Sequence, residues 1–471
     1  MRLVRSRPKP FSGWVLSVVM ASGVAAAVGD ATAGTLEETI QSALISNPDV
    51  GVVQADRRAV DQELRQARAE YFPSLDLRAG AGPEYSNSVT TRNRVTRAPG
   101  SDASTTLMRW ESQLTLTQML FDGFATQSEV ERQLGRVNSA AFRVQEAAEF
   151  IALDAVETHL NVLRNQTLVE LARQNLDQHR GLLGQVAELE RQGGGSIADV
   201  HQAEARVAAA QTVLATTVGN LEDAKALYIS VVGEPAEDLA ESVPPVYALP
   251  ESPEAAAGKA AVDSPTVLIA NADIEVAKAE LQGSRAGYYP RFDLELGTSA
   301  NDNIDGLKGS SIDAQALVVM RYNLFRGGGD IAREREAFQR IDEARQTLRQ
   351  AKRTSEEDAR IGYNALVTAQ ARLEALRGRV TAQRETRDTY AQQFDLGQRS
   401  LLDLLDAENE LFVARSELTT AEYTEMFAVY RVLAVIGSLL TTLDIDAPKE
   451  AIDIYRARRE PIQETGGTTT P

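Results

Sequence analysis

The sequence predicts a mixed α and β membrane protein assembled from an internal tandem duplication, and three observations carry that prediction. First, residues 47–80 match residues 264–297 at an offset of 217, pairing Pro48 with Pro265, Asp56 with Asp273, Glu63 with Glu280, Tyr71 with Tyr288 and Pro73 with Pro290. A long internal repeat constrains architecture before any other signal. Second, each copy holds a pair of short alternating segments bounded by aromatic residues. Third, each copy continues into a helical pattern far longer than a compact domain needs.

The chain opens with Arg2, Arg5, Arg7 and Lys9, then an apolar run over 11–28, then Ala31, Thr32 and Ala33. That order predicts a secretory signal peptide over 1–33, cleaved after Ala33. The run is short for a membrane anchor and is interrupted by Ser12, Gly13, Ser17, Ser22 and Gly23. The whole chain carries a net charge of -18, and loss of the four basic groups and Asp30 in the leader takes it to -21. So acidic a protein is a poor partner for nucleic acid. With no cysteine, disulfides, zinc–thiolate sites, cysteine nucleophiles and a lipoprotein anchor are all excluded. A basic cluster in the first inter-strand loop, Arg92, Arg94 and Arg97, is expected to be solvated.

Each repeat reads helix, strand, loop, strand, long helix, tip, return helix. Repeat 1 is placed at 34–232 and repeat 2 at 263–447, with an acidic, Pro-rich linker over 233–262 and a polar tail over 448–471. The opening helices are expected over 35–70 and 264–286, each ending before a Tyr-aromatic-Pro step where proline stops helical continuation. Periodicity then changes from near 3.6 to 2. Leu75, Leu77 and Ala79 alternate with Asp76 and Arg78, and Trp110, Leu114 and Leu116 with Arg109, Glu111, Gln113 and Thr115. In the second copy Phe292, Leu294 and Leu296 alternate with Asp293 and Glu295, and Ile312, Ala314 and Ala316 with Asp313 and Gln315. Hairpins are therefore expected at about 73–122 and 290–326.

Alternation alone also suits hairpins lying on a soluble core. Their ends argue otherwise. Tyr71, Phe72, Phe121 and Phe124 flank the first hairpin, and Tyr288, Tyr289, Tyr322 and Phe325 the second. A hairpin returns its ends to one side, so these aromatics form a belt at one level, as in a transmembrane β-barrel. Four strands cannot close a barrel, and an open edge in lipid leaves backbone groups unpaired. Strands in a membrane therefore require an oligomer. The offset falls to 204 at Leu120, Phe121 and Gly123 against Leu324, Phe325 and Gly327, so copy one has 13 more residues in its inter-strand loop.

Beyond the strands, Val130, Leu134, Val137, Ala141, Val144, Ala148, Ile151 and Ala155 make an unbroken 4-3 seam, with Ala140, Ala147 and Phe150 beside it. Two adjacent seams mean two helical neighbours, which suits a ring of helices. Copy two repeats the seam as Ala337, Ile341, Ala344, Leu348 and Ala351. The helices turn at tips near 193–199 and 397–403. Each tip contains Ser-x-x-Asp, Ser196 with Asp199 and Ser400 with Asp403, a cap followed by an acidic residue that complements the helix dipole. Asp406 adds a carboxylate three residues after Asp403 on the same helix face, where copy one has Gln202.

No catalytic constellation stands out. His159, His179 and His201 lack metal-ligand spacing, and the glycine runs at 193–195 and 327–329 lack the Gly-Lys-Ser/Thr ending of a phosphate loop. No enzyme activity, cofactor or metal is expected.

The duplicated order, the aromatic-Pro strand entry, the Leu-Phe-x-Gly strand exit and the segment GQRSLLDLLDAENEL at 397–411 together resemble the TolC family of outer-membrane channel proteins. The resemblance implies a homotrimer in which four strands per protomer build a 12-stranded outer-membrane β-barrel, continuous with a long periplasmic α-helical barrel. It implies a periplasmic adaptor (membrane fusion protein) and an inner-membrane ABC transporter as partners, with outer-membrane lipid around the barrel. Residues 65–87 look most like the members serving type I secretion, with a multidrug-efflux duct as the alternative and a soluble periplasmic coiled-coil adaptor as a third reading. At the periplasmic gate the resemblance implies a carboxylate ring from Asp403 and Asp406 and a basic gate residue at Arg399. Phe394 stands where a tyrosine is usual. Gly193, Ser196, Asp199, Gly397 and Ser400 are implied at the adaptor-contact tip.

Overall fold

Proline punctuates the first helical stretch of the chain. In the computed structural model, which describes residues 34–97 and 102–452, the helix expected over 35–70 is two helices, α1 (Leu36–Ser46) and α2 (Pro48–Ala69). Thr35 and Glu38 close a reciprocal capping box on α1. Asn47, extended at φ -70° and ψ 125°, caps α2 by accepting the Asp49 N–H at 2.9 Å. The break follows because the residue before proline is driven out of the helical region.

Strand β1 (Ser74–Ser86) leads to a helix, α3 (Val89–Arg97), where a loop was expected, and β2 (Thr105–Phe121) returns. Ser88 and Thr91 each accept the other's backbone N–H, which starts that helix. The long helices follow as α4 (Ala125–Arg191) and α5 (Ile197–Val232). The expected linker contains a helix of its own, α6 (Pro253–Asp263), capped by Ser252 and begun by Pro253. Its acid and proline content hid a standard N-terminal signal. It stands to α7 (Pro265–Ser284) as α1 stands to α2, so the second repeat's helical part begins ahead of 263. Strands β3 (Arg291–Asp302) and β4 (Ser310–Arg321), helices α8 (Gly329–Asp395) and α9 (Leu401–Val435), and a short α10 (Leu439–Thr442) complete the chain. The segment over 1–33 expected to be a signal peptide and most of the tail lie outside the described residues.

The four strands form one antiparallel sheet in sequence order, β1-β2-β3-β4. Its register lines up Leu75 with Leu116, Leu116 with Leu296 and Leu296 with Ala316 across one face. That face is exposed: Leu75, Leu77, Trp110, Ile312 and Val318 all lie open. The opposite face carries charge. Asp293 is buried between Arg291 at 3.0 Å and Arg321 at 2.6 Å, Arg321 also holds Glu295 at 2.6 Å, and Arg109 holds Glu84 at 2.9 Å. A sheet with apolar residues outside and paired charges inside is the inverse of a soluble hairpin packed on a core. Within the protomer, among the described residues, the outer edges of β1 and β4 pair with no other strand.

At the helix side of the sheet Phe121, Phe124 and Tyr289 pack edge to face, with centroids 5.4 to 6.3 Å apart. Gly123 makes this corner possible. It sits at φ +72°, and a Cβ there would lie 2.7 Å from the Ala286 carbonyl oxygen. Tyr71, Phe72, Tyr322 and Phe325 are exposed at the same strand ends, whereas the Tyr288 hydroxyl donates to Glu334 of α8 at 2.9 Å.

Helices α4 and α8 are each 67 residues long, about 100 Å at 1.5 Å per residue. In α4 the seam from Leu134 to Ala155 is buried as the heptad requires, packed by α2, α5, α7 and α9. Phe150 of the second seam is open, and Ala344, Leu348 and Ala351 of α8 are half-buried. The largest core gathers α1, the middle of α4, the ends of α5 and α9, and α6. Two polar clasps lie inside it. His159 is fully buried; its Nε2–H donates to the Ala240 carbonyl at 3.0 Å, and Nδ1 lies 3.0 Å from the Thr39 hydroxyl, which also meets Tyr228. Burial lowers the His159 pKa, so the ring stays neutral. Glu149, also buried, accepts the Leu439 N–H at 3.0 Å and so caps α10 from 290 residues away.

Candidate functional site: the helical tip

Both long hairpins turn through a left-handed glycine, Gly193 at φ 77° and Gly397 at φ 71°. Each is then re-started by a serine cap. Ser196 accepts the Ala198 N–H at 3.2 Å; Ser400 accepts the Asp403 N–H at 3.2 Å and donates to Asp403 Oδ2 at 2.8 Å. Asp199 and Asp403 both sit in the first turn of their helices, where the dipole favours a carboxylate. The expected capping pattern is thus formed in both copies. The turn 193–196 is exposed throughout, as is Gly397.

Arg399 is held inside its own hairpin. Its guanidinium lies 3.8 Å from Asp403 Oδ2, its Nε donates to Gln393 at 3.2 Å, and its carbon stacks 4.0 Å from the Tyr390 ring centroid. A cation over an aromatic face is attracted by the ring quadrupole. The phenol at this tip is therefore Tyr390, one turn before Phe394. Phe394 packs instead into an apolar cluster shared by both hairpins, with Val186 and Leu182 of α4, Val200 of α5 and Leu401 and Leu405 of α9.

Asp406 does not join Asp403. Its Oδ1 accepts from Arg206 Nη2 at 2.6 Å, a contact running from α5 to α9 and so from one repeat to the other. Arg206 was not among the residues singled out from the sequence. A faint signal exists, because Gln202 is the repeat-mate of Asp406 and Arg206 lies one helical turn beyond it. The pair is 35% and 51% exposed, so each copy contributes at most about 1 kcal/mol. Behind it His179 is buried, and both burial and the nearby Arg206 charge lower its pKa. A neutral imidazole leaves Arg206 as the cation facing Asp406. One further ion pair, Arg387 with the buried Glu408 at 3.0 Å, joins α8 to α9 above the tip.

Of the sequence-predicted gate residues, Arg399 and Asp403 come together, Asp406 pairs elsewhere and Phe394 is apolar staple. Among the described residues no helix is long and apolar enough to cross a membrane, and no group of three acidic, His or Cys side chains could hold a metal ion. The geometry offers two helical hairpins joined at their ends by one apolar cluster and one exposed ion pair.

An open amphipathic sheet continuous with two 67-residue helices and their hairpin tips defines the protomer of a barrel-and-tunnel channel. Comparison with known proteins bears this out. The outer membrane efflux protein family matches the chain twice, over residues 39–231 and 256–438, and the chain belongs to that family. It is similar to the outer membrane efflux protein BepC of Brucella suis biovar 1 (strain 1330), 24% identical over 433 residues covering 90% of each chain. The outer membrane protein TolC of Escherichia coli (strain K12) is 23% identical over 86% of this chain and 83% of its own. The alkaline protease secretion protein AprF of Pseudomonas aeruginosa is 25% identical over 87% and 86%. Among solved structures CusC superposes with a TM-score of 0.73 at 15% identity, covering 86% of this chain and 92% of its own. The expected TolC-family fold, a trimer closing a 12-stranded barrel above a helical tunnel, is the fold of this chain.

Proposed function

We propose that the protein is the outer-membrane exit duct of a tripartite type I secretion system, a homotrimer that passes protein substrate from an inner-membrane ABC transporter and a periplasmic adaptor to the exterior. The observation that carries the duct is the sheet, whose lipid-compatible face and two unpaired edges make sense only in a closed, membrane-embedded ring. The secretion reading is supported by the likeness to AprF, whose name records protease secretion, over most of both chains. BepC, named for efflux, is as similar, so cargo decides between the two. Deleting the gene and comparing the secretome with drug susceptibility tests the reading: loss of a secreted protein at unchanged susceptibility supports it, and the reverse pattern assigns drug efflux.

The tip is the periplasmic gate in this reading, with Arg399 and Asp403 in the closed form and the glycine-turned ends at Gly193, Ser196, Asp199, Gly397 and Ser400 as the adaptor's contact. The eight belt aromatics hold the barrel at the lipid interface. Replacing Arg399 and Asp403 with alanine removes the 3.8 Å contact that orders the second tip and is expected to raise single-channel conductance in planar bilayers. Unchanged conductance overturns the gate.

A further inference from the structure

We propose that Arg206 is the residue that latches the two hairpins together and sets the charge of the closed entrance. The inference rests on the channel reading above and deepens it. Helices α5 and α9 barely touch, and among the described residues the polar link between them is Arg206 to Asp406 at 2.6 Å. Every partner of Arg399 lies in α8 or α9, so Arg399 braces one hairpin and joins nothing across the repeats. Arg206 alone, of these two arginines, crosses between them.

The same pairing changes the electrostatics of the opening. Asp403 and Asp406 are expected to lie together around the axis. Asp403, however, accepts from the Ser400 hydroxyl and lies beside Arg399 of its own hairpin, and Asp406 is matched by an opposite charge from the other repeat at contact distance. In the closed entrance each tip carboxylate therefore has a cation beside it, and Asp406 takes its cation from the other repeat. When the hairpins part, Arg206 and Asp406 separate and the entrance gains free groups of both signs. A partner with an acidic and a basic side chain at matching spacing can take both, exchanging one ion pair for two.

Charge exchange in planar bilayers tests this with full-length protein. Arg206→Asp and Asp406→Arg each place like charges together and are expected to raise conductance several-fold. The double variant Arg206→Asp with Asp406→Arg restores the pair in reverse and returns conductance close to wild type. Such non-additivity distinguishes a direct contact from two independent effects on tip stability. Should the reversals fail to assemble, Arg206→Gln and Asp406→Asn serve instead: each raises conductance, and combining them gives no further rise. In reversal-potential measurements Arg206→Gln shifts permeation toward cations and Asp406→Asn toward anions, with the Gln/Asn double variant back at the wild-type ratio. Conductance unchanged in the single variants, or a charge-swapped channel as open as either single, overturns the latch. A wild-type chain that never forms a pore refutes the duct itself, whereas a conducting wild type with unlatched behaviour absent refutes only the role of Arg206.

Discussion

Glu149 is a carboxylate that makes no ion pair among the described residues and is held by the backbone N–H groups of Leu439 and Leu440. Burial outweighs those two donors and pushes its pKa up to about 7. A folded value raised above the unfolded one means that this group's contribution is fully present below about pH 4.5 and is lost as pH rises through about 7. Across that window the loss amounts to roughly 3 kcal/mol. Glu149→Gln keeps the shape and an acceptor, so denaturant unfolding should lose the part of its pH dependence that weakens the fold as pH rises between those limits; an unchanged slope would contradict the assignment. His159 acts with the opposite sign, since its lowered pKa favours the fold above its ordinary value and weakens it as pH falls. At this scale the sequence was least legible. Ser196 and Ser400 announced their caps through local spacing, and Tyr390 meets Arg399 through the fold of one tip, but Arg206 acquires its role from the angle at which two hairpins meet. No window of sequence contains that angle.

Elements were easier to read, because periodicity is a local property. The strands followed from alternation, and the seam from Leu134 to Ala155 followed from the heptad. What escaped was punctuation: the break at Asn47-Pro48, the helix over 89–97 and the capped helix α6 inside a stretch that composition marked as linker. The strand-to-helix junctions show how repeat-mates diverge. Gly123 and Gly327 share a left-handed backbone, yet a Cβ at Gly123 meets Ala286 and Tyr289 below 3 Å whereas one at Gly327 meets nothing within 4 Å. Gly327→Ala should therefore cost only backbone strain, about 1 kcal/mol. Gly123→Ala adds a collision with a carbonyl oxygen and should cost more than about 2 kcal/mol. Thermal unfolding of the two variants orders them; equal losses would show that the corner can yield.

For the whole molecule the duplication sets the plan and the two faces of the sheet set the address. Leu77 lies on the exposed apolar face, and Arg78 beside it points to the charged one. Leu77→Arg would present a cation to lipid at about 2–4 kcal/mol in each copy if near the midplane. Arg78→Leu alters only the interior. Membrane fractionation should find the first variant depleted from the outer membrane and the second retained there; equal retention would mean that the exposed face does not meet lipid.

The unpaired edges of β1 and β4 have a genetic corollary. Since each wall of the barrel is completed by another polypeptide, a damaged copy does not fail alone. In a cell making sound and defective subunits in equal amounts that mix freely, only about one ring in eight is wholly sound. Alleles that assemble but cannot open will therefore behave as dominant, while alleles that cannot insert drop out of the pool and remain recessive. Inheritance pattern alone would then sort lesions of the gate from lesions of the wall.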